Sequence, residues 1–277
     1  MRLKRRHIFN LFIVAMISNF SLSMAPNDSA RKRAIIIGAS SGMGREVAKL
    51  LSKDGYEVGL VARRTELLKS LQSELPTTSH IKQIDIASSH AREQLQELIT
   101  HMKGLDLCVI SISANCDNQN EGADHWASKE RTINVDGKGF IALADLVLDY
   151  FKKQNHGHLV GISSTSGLRG SAATPVYSAI KAGISCYMDA QRNLMTQNNY
   201  NVQITDVVPG WVAIEYAPMG ADPAAYWEIP VEQAGREIVA GIKAQKKIVH
   251  VPSKVWLVSL LLKYLPDWAY NKYFYWL

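Results

Sequence analysis

From residue 33 onward, short apolar runs alternate with stretches whose apolar residues recur every three or four positions. The runs at 34–38, 57–62, 81–86, 105–112, 158–162, 202–208 and 248–251 are too short for helices and predict strands. The run at 105–112 is predominantly apolar, as expected of a strand covered on both faces. Between the runs, 46–53, 65–75, 91–102, 133–151, 176–196 and 231–244 carry helical spacing. In 65–75, for example, Leu67, Leu68, Leu71 and Leu75 fall on one face. Regular strand–helix alternation predicts an α/β fold with helices on both faces of a parallel sheet. Right-handed crossovers then wind that sheet doubly. No repeat, low-complexity segment or long linker divides the chain, which predicts a single domain over 33–252, with a leader at 1–32 and an appended segment at 253–277.

Composition narrows the class. Of 277 residues, 47% are hydrophobic and 20% charged, which excludes a disordered chain, a collagen-like repeat and a polytopic membrane protein. The net charge of +6 would suggest nucleic acid, but its location argues otherwise. Residues 1–33 hold seven Lys or Arg and one acid, Asp28, leaving 24 of each sign in the rest of the chain. A nucleic-acid binder needs its basic face on the folded part, so no nucleic-acid partner is expected. Three cysteines, Cys108, Cys116 and Cys186, without a CxxC spacing imply no disulfide framework and no metal site. Cys108 and Cys186 lie in apolar runs and are expected as small core residues.

The leader supports three readings. Basic residues at 4–6 precede an apolar segment at 11–17 and a small-residue stretch ending at Ala25, which is the order of a secretory signal. The apolar segment is seven residues long, whereas a spanning helix needs about 20. A weak anchor, a signal peptide, and an extension with initiation near Met24 all fit.

The first candidate chemistry lies in Gly38-Ala39-Ser40-Ser41-Gly42-Met43-Gly44, between the first predicted strand and the first helix. Glycines allow positive φ and a close backbone approach to a pyrophosphate. A helix N-terminus offers unpaired N–H groups and a positive dipole end. The spacing G-x-x-x-G-x-G differs from the commoner G-x-G-x-x-G, but the placement predicts a Rossmann-type dinucleotide site that includes Ser40, Ser41 and Met43. An acid ending the second strand would bond a ribose hydroxyl, whereas Arg suits a 2′-phosphate. Here the strand ends in Ala62-Arg63-Arg64, so NADP(H) is expected in preference to NAD(H), with Arg63 first and Arg64 second as the clamp. Asp85, ending the third strand, fits either an adenine contact or a helix cap.

The second candidate lies in Tyr177-Ser178-Ala179-Ile180-Lys181, where a phenol and an ammonium four residues apart share one helical face. A free Tyr ionises near pH 10, and a neighbouring ammonium favours the phenolate. Such a pair suits general acid/base work. Thirteen residues before Tyr177, Ser164 ends a strand, at the edge where open sheets bind ligands.

These pieces together resemble the short-chain dehydrogenase/reductase family, in its shorter, reductase-type members. The resemblance covers about residues 33–252 and rests on GASSGMG at 38–44, Asn134 in TINVDG, Ser164 in GISSTSG, Tyr177 and Lys181 in YSAIK, and Pro209-Gly210 in VVPGWV, in family order and spacing. It implies that Tyr177 donates a proton to a carbonyl oxygen and that Lys181 bonds the nicotinamide ribose. It implies further that Ser164 orients the carbonyl, that Asn134 holds a relay water, and that Pro209, Gly210 and Val212 border the cofactor. Two departures stand out. The family's Asn-Asn-Ala-Gly at the fourth strand reads Ile110-Ser111-Ile112-Ser113, and the Thr expected after Pro-Gly is replaced by Ile214. The resemblance also implies a homo-oligomer, dimer or tetramer, paired through the long helices after strands four and five.

The expected function is NADP(H)-dependent reduction of a carbonyl, or oxidation of the alcohol, by hydride transfer. Trp211, Tyr216, Met219, Tyr226 and Trp227 after Pro209-Gly210 suggest a hydrophobic substrate. The C-terminal segment adds an apolar run at 255–262 and then Tyr264, Trp268, Tyr270, Tyr273, Phe274, Tyr275 and Trp276 with Lys263 and Lys272. That composition suits a helix in a membrane interface, a dimer contact or a lid. NADPH is an intracellular reductant, so a cytoplasmic enzyme with a membrane-touching end is expected. A keto-lipid or 3-oxoacyl reductase at the membrane surface is the alternative enzyme. A non-catalytic NADP-binding sensor or scaffold is the alternative of another class, against which the intact Ser164–Tyr177–Lys181–Asn134 set argues.

Overall fold

The computed structural model describes residues 32–114, 125–213 and 228–273. Residues 1–31 of the leader, Cys116, Ile214, the substrate-lining candidates Tyr216, Met219, Tyr226 and Trp227, and the last aromatics Phe274, Tyr275 and Trp276 lie outside these residues.

The chain begins with β1 (Arg33–Ile37), α1 (Gly42–Lys53), β2 (Glu57–Ala62), α2 (Thr65–Glu74), β3 (Ser79–Gln83), α3 (Ala91–His101) and β4 (Leu107–Ile110). It continues through α4 (His125–Thr132), a π-helical segment (Ile133–Gly139), α5 (Phe140–Gln154), β5 (Gly157–Ile162), a 3₁₀ turn (Thr165–Gly167), α6 (Pro175–Gln197) and β6 (Val202–Pro209). It ends with β7 (Val212–Ala213), β8 (Ile229–Pro230), α7 (Val231–Lys243), β9 (Ile248–Val251), α8 (Val255–Tyr264) and α9 (Asp267–Tyr273).

Seven strands form one parallel sheet in the order β3-β2-β1-β4-β5-β6-β9, so the winding reverses between β1 and β4. That reversal opens a crevice at the carboxyl ends of the strands, where doubly wound sheets bind ligands. The expected Rossmann-type fold is therefore present. Strand side chains alternate between two buried layers. Ile35 and Ile37 pack with Leu95, Phe140, Ile184 and Met188 of α3, α5 and α6. Ala34 and Ile36 pack with Val47, Leu51, Leu68 and Ile238 of α1, α2 and α7. Both layers being apolar explains why the strands read as unbroken runs rather than alternating ones.

The structure departs from the sequence expectations in three places, each with a physical reason. β3 starts two residues earlier than 81–86 and all its residues but Ile81 are polar, because it is an edge strand paired only with β2. Ile84 and Ile86, which carried the apolar signal, follow the strand and line the crevice. The predicted helix at 133–151 is broken by the π-helical segment. There Gly137 and Gly139 let the backbone close in: an added Cβ would meet Ile180 at 3.0 Å and the Ile86 carbonyl oxygen at 2.8 Å. Such widened turns recur at functional sites. Finally, Cys108 is buried as expected, but Cys186 is exposed. On α6 the buried positions are Lys181, Ile184 and Met188, and a residue two after Ile184 falls on the opposite face.

Candidate active site

The glycine loop is shaped by clearance as much as by conformation. Gly38 has φ +91°, and a Cβ there would stand 1.8 Å from the carbonyl oxygen of Ser111. Gly44 is buried, and its Cβ would stand 2.4 Å from the Gly38 carbonyl oxygen. The loop, α1 and the turn after β4 therefore fit together only as bare backbone. Ser111, in the stretch that departs from the family pattern, completes this junction by donating its N–H to the Ile37 carbonyl at 2.8 Å. The first N–H groups of α1, starting at Gly42, have no intrahelical acceptor and open on the crevice.

Across the crevice stand the two arginines that end β2. Arg64 donates to the hydroxyls of Ser40 at 2.9 Å and Ser41 at 2.7 Å. Arg63, ranked first from sequence, lines the same crevice and is exposed, and its carbonyl accepts from the Gln83 side chain at 3.0 Å. The residue in contact with the glycine loop is thus the second arginine. Asp85 also lines the crevice, while its Oδ1 accepts from the Ala87 N–H at 3.1 Å within the turn after β3; it is not the expected helix cap, because α3 starts six residues later and its N-cap position is His90.

The other end of the crevice gathers Ser164, Tyr177, Lys181, Pro209, Gly210 and Val212. Lys181 is only 1% exposed. A buried ammonium is costly unless hydrogen-bonded, and Lys181 donates to the carbonyl oxygens of Ile162 at 3.0 Å and Ile112 at 3.2 Å. Two of its three N–H groups are thereby fixed by the ends of β4 and β5. Its Nζ lies 5.5 Å from the centroid of the Tyr177 ring. Ser164 is buried, and its oxygen accepts from the Ser166 N–H at 3.1 Å, which leaves the hydroxyl hydrogen to donate.

Of the described residues predicted for the site, Gly44, Asn134 and Trp211 do not line the crevice. Gly44 serves the loop–helix junction just described. Asn134 lies half-buried in the π-helical segment, which packs against α6 at Ile180, the neighbour of Lys181.

Sequence reasoning missed four contributors. Asp136 is fully buried, and its Oδ1 accepts from the Ala114 N–H at 2.7 Å, tying the π-helical segment to the turn after β4. Its only signal was a carboxylate inside the string TINVDG. Gly167 lets the turn after Ser164 lie on α6, since a Cβ there would be 2.7 Å from the backbone of Lys181 and Ala182. The carbonyls of Ile112 and Ile162 carry no side-chain signal at all.

Comparison with known proteins agrees with this fold. A model of the family described as short chain dehydrogenase matches residues 32–220. An uncharacterized oxidoreductase of Myxococcus xanthus is 30% identical over 217 residues, covering 76% of this chain and 85% of that one. An NADP-dependent 3-hydroxy acid dehydrogenase of Escherichia coli is 30% identical over 184 residues, covering 64% and 71%. Among solved structures, an alcohol dehydrogenase from the archaeon Thermococcus sibiricus, complexed with 5-hydroxy-NADP, shares the fold with a TM-score of 0.68 at 19% identity, covering 79% of this chain and 95% of that one. With the family match spanning more than half its length, the chain belongs to the short-chain dehydrogenase/reductase family and is an NAD(P)-dependent oxidoreductase.

Proposed function

We propose that the protein is an NADP(H)-dependent carbonyl reductase, acting on a hydrophobic ketone or aldehyde, with Ser164, Tyr177, Lys181 and Asn134 as its catalytic set. The reading rests on one observation: a single crevice joins the glycine loop and Arg64 at one end to Ser164, Tyr177 and Lys181 at the other. The bare-backbone cradle at Gly38 and Gly44 suits a pyrophosphate, and Arg64 over Ser40 and Ser41 suits an added 2′-phosphate. Arg63, Asp85, Pro209, Gly210 and Val212 border the same cofactor in this reading. A nicotinamide held there would supply the hydride for the carbonyl carbon.

The chain's own residues do the rest. Ser164 donates its hydroxyl hydrogen to the carbonyl oxygen and sets its orientation. Tyr177 donates the proton that completes the alcohol. As the phenol gives up that proton, negative charge develops on its oxygen, and the Lys181 ammonium offsets it. Because two carbonyls hold Lys181, this charge is in place before the reaction begins. Asn134, in the π-helical segment whose Gly137 packs on Ile180, is assigned to the proton path in this reading.

The test is direct. Purified protein is mixed with NADPH and ketones or aldehydes of rising chain length, and the loss of nicotinamide absorbance is followed. Turnover that rises with chain length is expected. Silence with every carbonyl, in a protein that still binds NADPH, would leave a non-catalytic NADP-binding sensor as the better reading.

A further inference from the structure

The C-terminal helices present an apolar face to solvent. Trp256, Leu257, Leu260, Leu261 and Tyr264 of α8 are between 45% and 72% exposed, and Trp268 of α9 is 70% exposed. At about 100° per residue the five on α8 span an arc of about 140°. The opposite side of α8, formed by Val255, Ser259 and Leu262, is buried. Ten residues cannot cross a bilayer, and among the described residues no helix is long and apolar enough to do so.

These helices are fastened to the substrate end of the crevice at two points. Arg169, just after the turn that carries Ser164, donates to the carbonyl oxygens of Leu262 and Leu265 and pairs with Asp267. Its guanidinium also stacks 4.2 Å from the centroid of the buried Tyr270 ring. On the other side Val255 packs on Gly210, where an added Cβ would meet it at 3.1 Å.

We infer that α8 and α9 seat the protein on a lipid bilayer carrying anionic headgroups, and that Arg169 couples this seat to the substrate entrance beside Ser164. The chemistry selects lipid over a second protein chain. Between residues 254 and 272 every charged side chain except Asp267 is a lysine, and Arg169 already pairs Asp267. Lysine is depleted at protein–protein interfaces, whereas lysine beside tryptophan and tyrosine marks helices lying in a bilayer surface. The inference rests on the proposed placement of Ser164 and Tyr177 at the reacting end, and it narrows the substrate to carbonyls that dissolve in lipid.

The test uses the full chain in flotation with vesicles of phosphatidylcholine alone or mixed with phosphatidylglycerol. Wild type is expected to float with the mixed vesicles. The double variant Trp256→Asp, Leu260→Asp, altered only at exposed positions, is expected to float about tenfold less. Replacing Arg2, Lys4, Arg5 and Arg6 by Ser should leave flotation largely intact; loss in that variant alone would assign binding to the leader and overturn the inference. Failure of wild type to float, or an apolar face whose double variant turns a dimer into a monomer without changing flotation, would overturn it too. Turnover of a long-chain aldehyde should rise when vesicles are added to wild type but not to the double variant, with a short soluble ketone reduced equally by both. Arg169→Gln should float yet lose that stimulation, and full stimulation would remove the coupling. If no carbonyl is reduced under any condition the reductase reading fails, while flotation still reports on the seat.

Discussion

Arg64 donates to the Ser41 hydroxyl across 2.7 Å, joining the turn after β2 to the loop that opens α1. A guanidinium in that position has the bidentate geometry for a phosphate at the place where the adenosine ribose of a dinucleotide would lie. Arg64→Ala should therefore weaken NADPH binding by tenfold or more, the range of about 1.5–3 kcal/mol for charge-assisted hydrogen bonds. NADH, lacking the 2′-phosphate, should change by no more than about threefold on the same ground. Arg63→Asp should act in the same direction. Equal losses for the two cofactors, measured by fluorescence titration, would exclude a phosphate clamp.

Tyr177 and Lys181 should separate under mutation, although they sit one helical turn apart. Tyr177 is half-buried and reaches the crevice from α6. Tyr177→Phe should lower kcat by at least about a thousandfold, as loss of a general acid does, with NADPH affinity and melting temperature nearly unchanged. Lys181→Met should also destroy turnover, but it strands the Ile112 and Ile162 carbonyls in a buried site. Unpaired buried polar groups cost about 1–3 kcal/mol each, so this variant should melt several degrees lower. Thermal melts beside turnover assays distinguish the two; equal melts would contradict the structural part assigned to Lys181.

The contrast also marks what was legible in the sequence. The sheet, its winding and the two ends of the crevice followed from apolar periodicity and from side chains with distinctive chemistry, such as Tyr177, Lys181 and the glycine loop. What stayed hidden was backbone. The carbonyls of Ile112 and Ile162 hold Lys181, yet any residue could supply them. The π-helical segment was read as plain helix because Gly137 and Gly139 matter through what they let approach, not through a pattern of their own. Cys186 was misplaced because an apolar neighbourhood in sequence does not say which face of a helix a residue occupies.

Gly38 and Gly55 form a natural control for one another. Their φ angles are +91° and +88°, but an added Cβ meets the Ser111 carbonyl oxygen at 1.8 Å in the first case and nothing within 4 Å in the second. Gly55→Ala should cost about 1–2 kcal/mol, the price of a left-handed backbone alone. Gly38→Ala adds a clash with main chain that no rotamer can relieve. It should cost at least about 2 kcal/mol more, and NADPH binding should be lost with it. Urea unfolding of both variants checks this, and equal costs would mean that the junction with Ser111 yields easily.

His158, on β5, adds a pH dependence to stability. It is 9% exposed on β5, and burial lowers its pKa to about 4 from 6.5. Thr205 Oγ1 donates to the Lys246 carbonyl at 2.6 Å, so that hydroxyl must accept from His158, whose Nε2 stands 2.8 Å away and carries the ring hydrogen. The ring is thus held neutral in the folded state. In the unfolded chain it takes up a proton near pH 6.5. The unfolded state therefore binds more protons throughout the window between about 4 and 6.5. Stability contributed by the neutral ring is full above that window and is lost as pH falls through it, to a limit of about 3 kcal/mol. His158→Gln removes the titration, so the gap between wild type and variant in urea unfolding should shrink from pH 7.5 to pH 4.5. A gap that stays constant over that range would show that His158 titrates alike in both states.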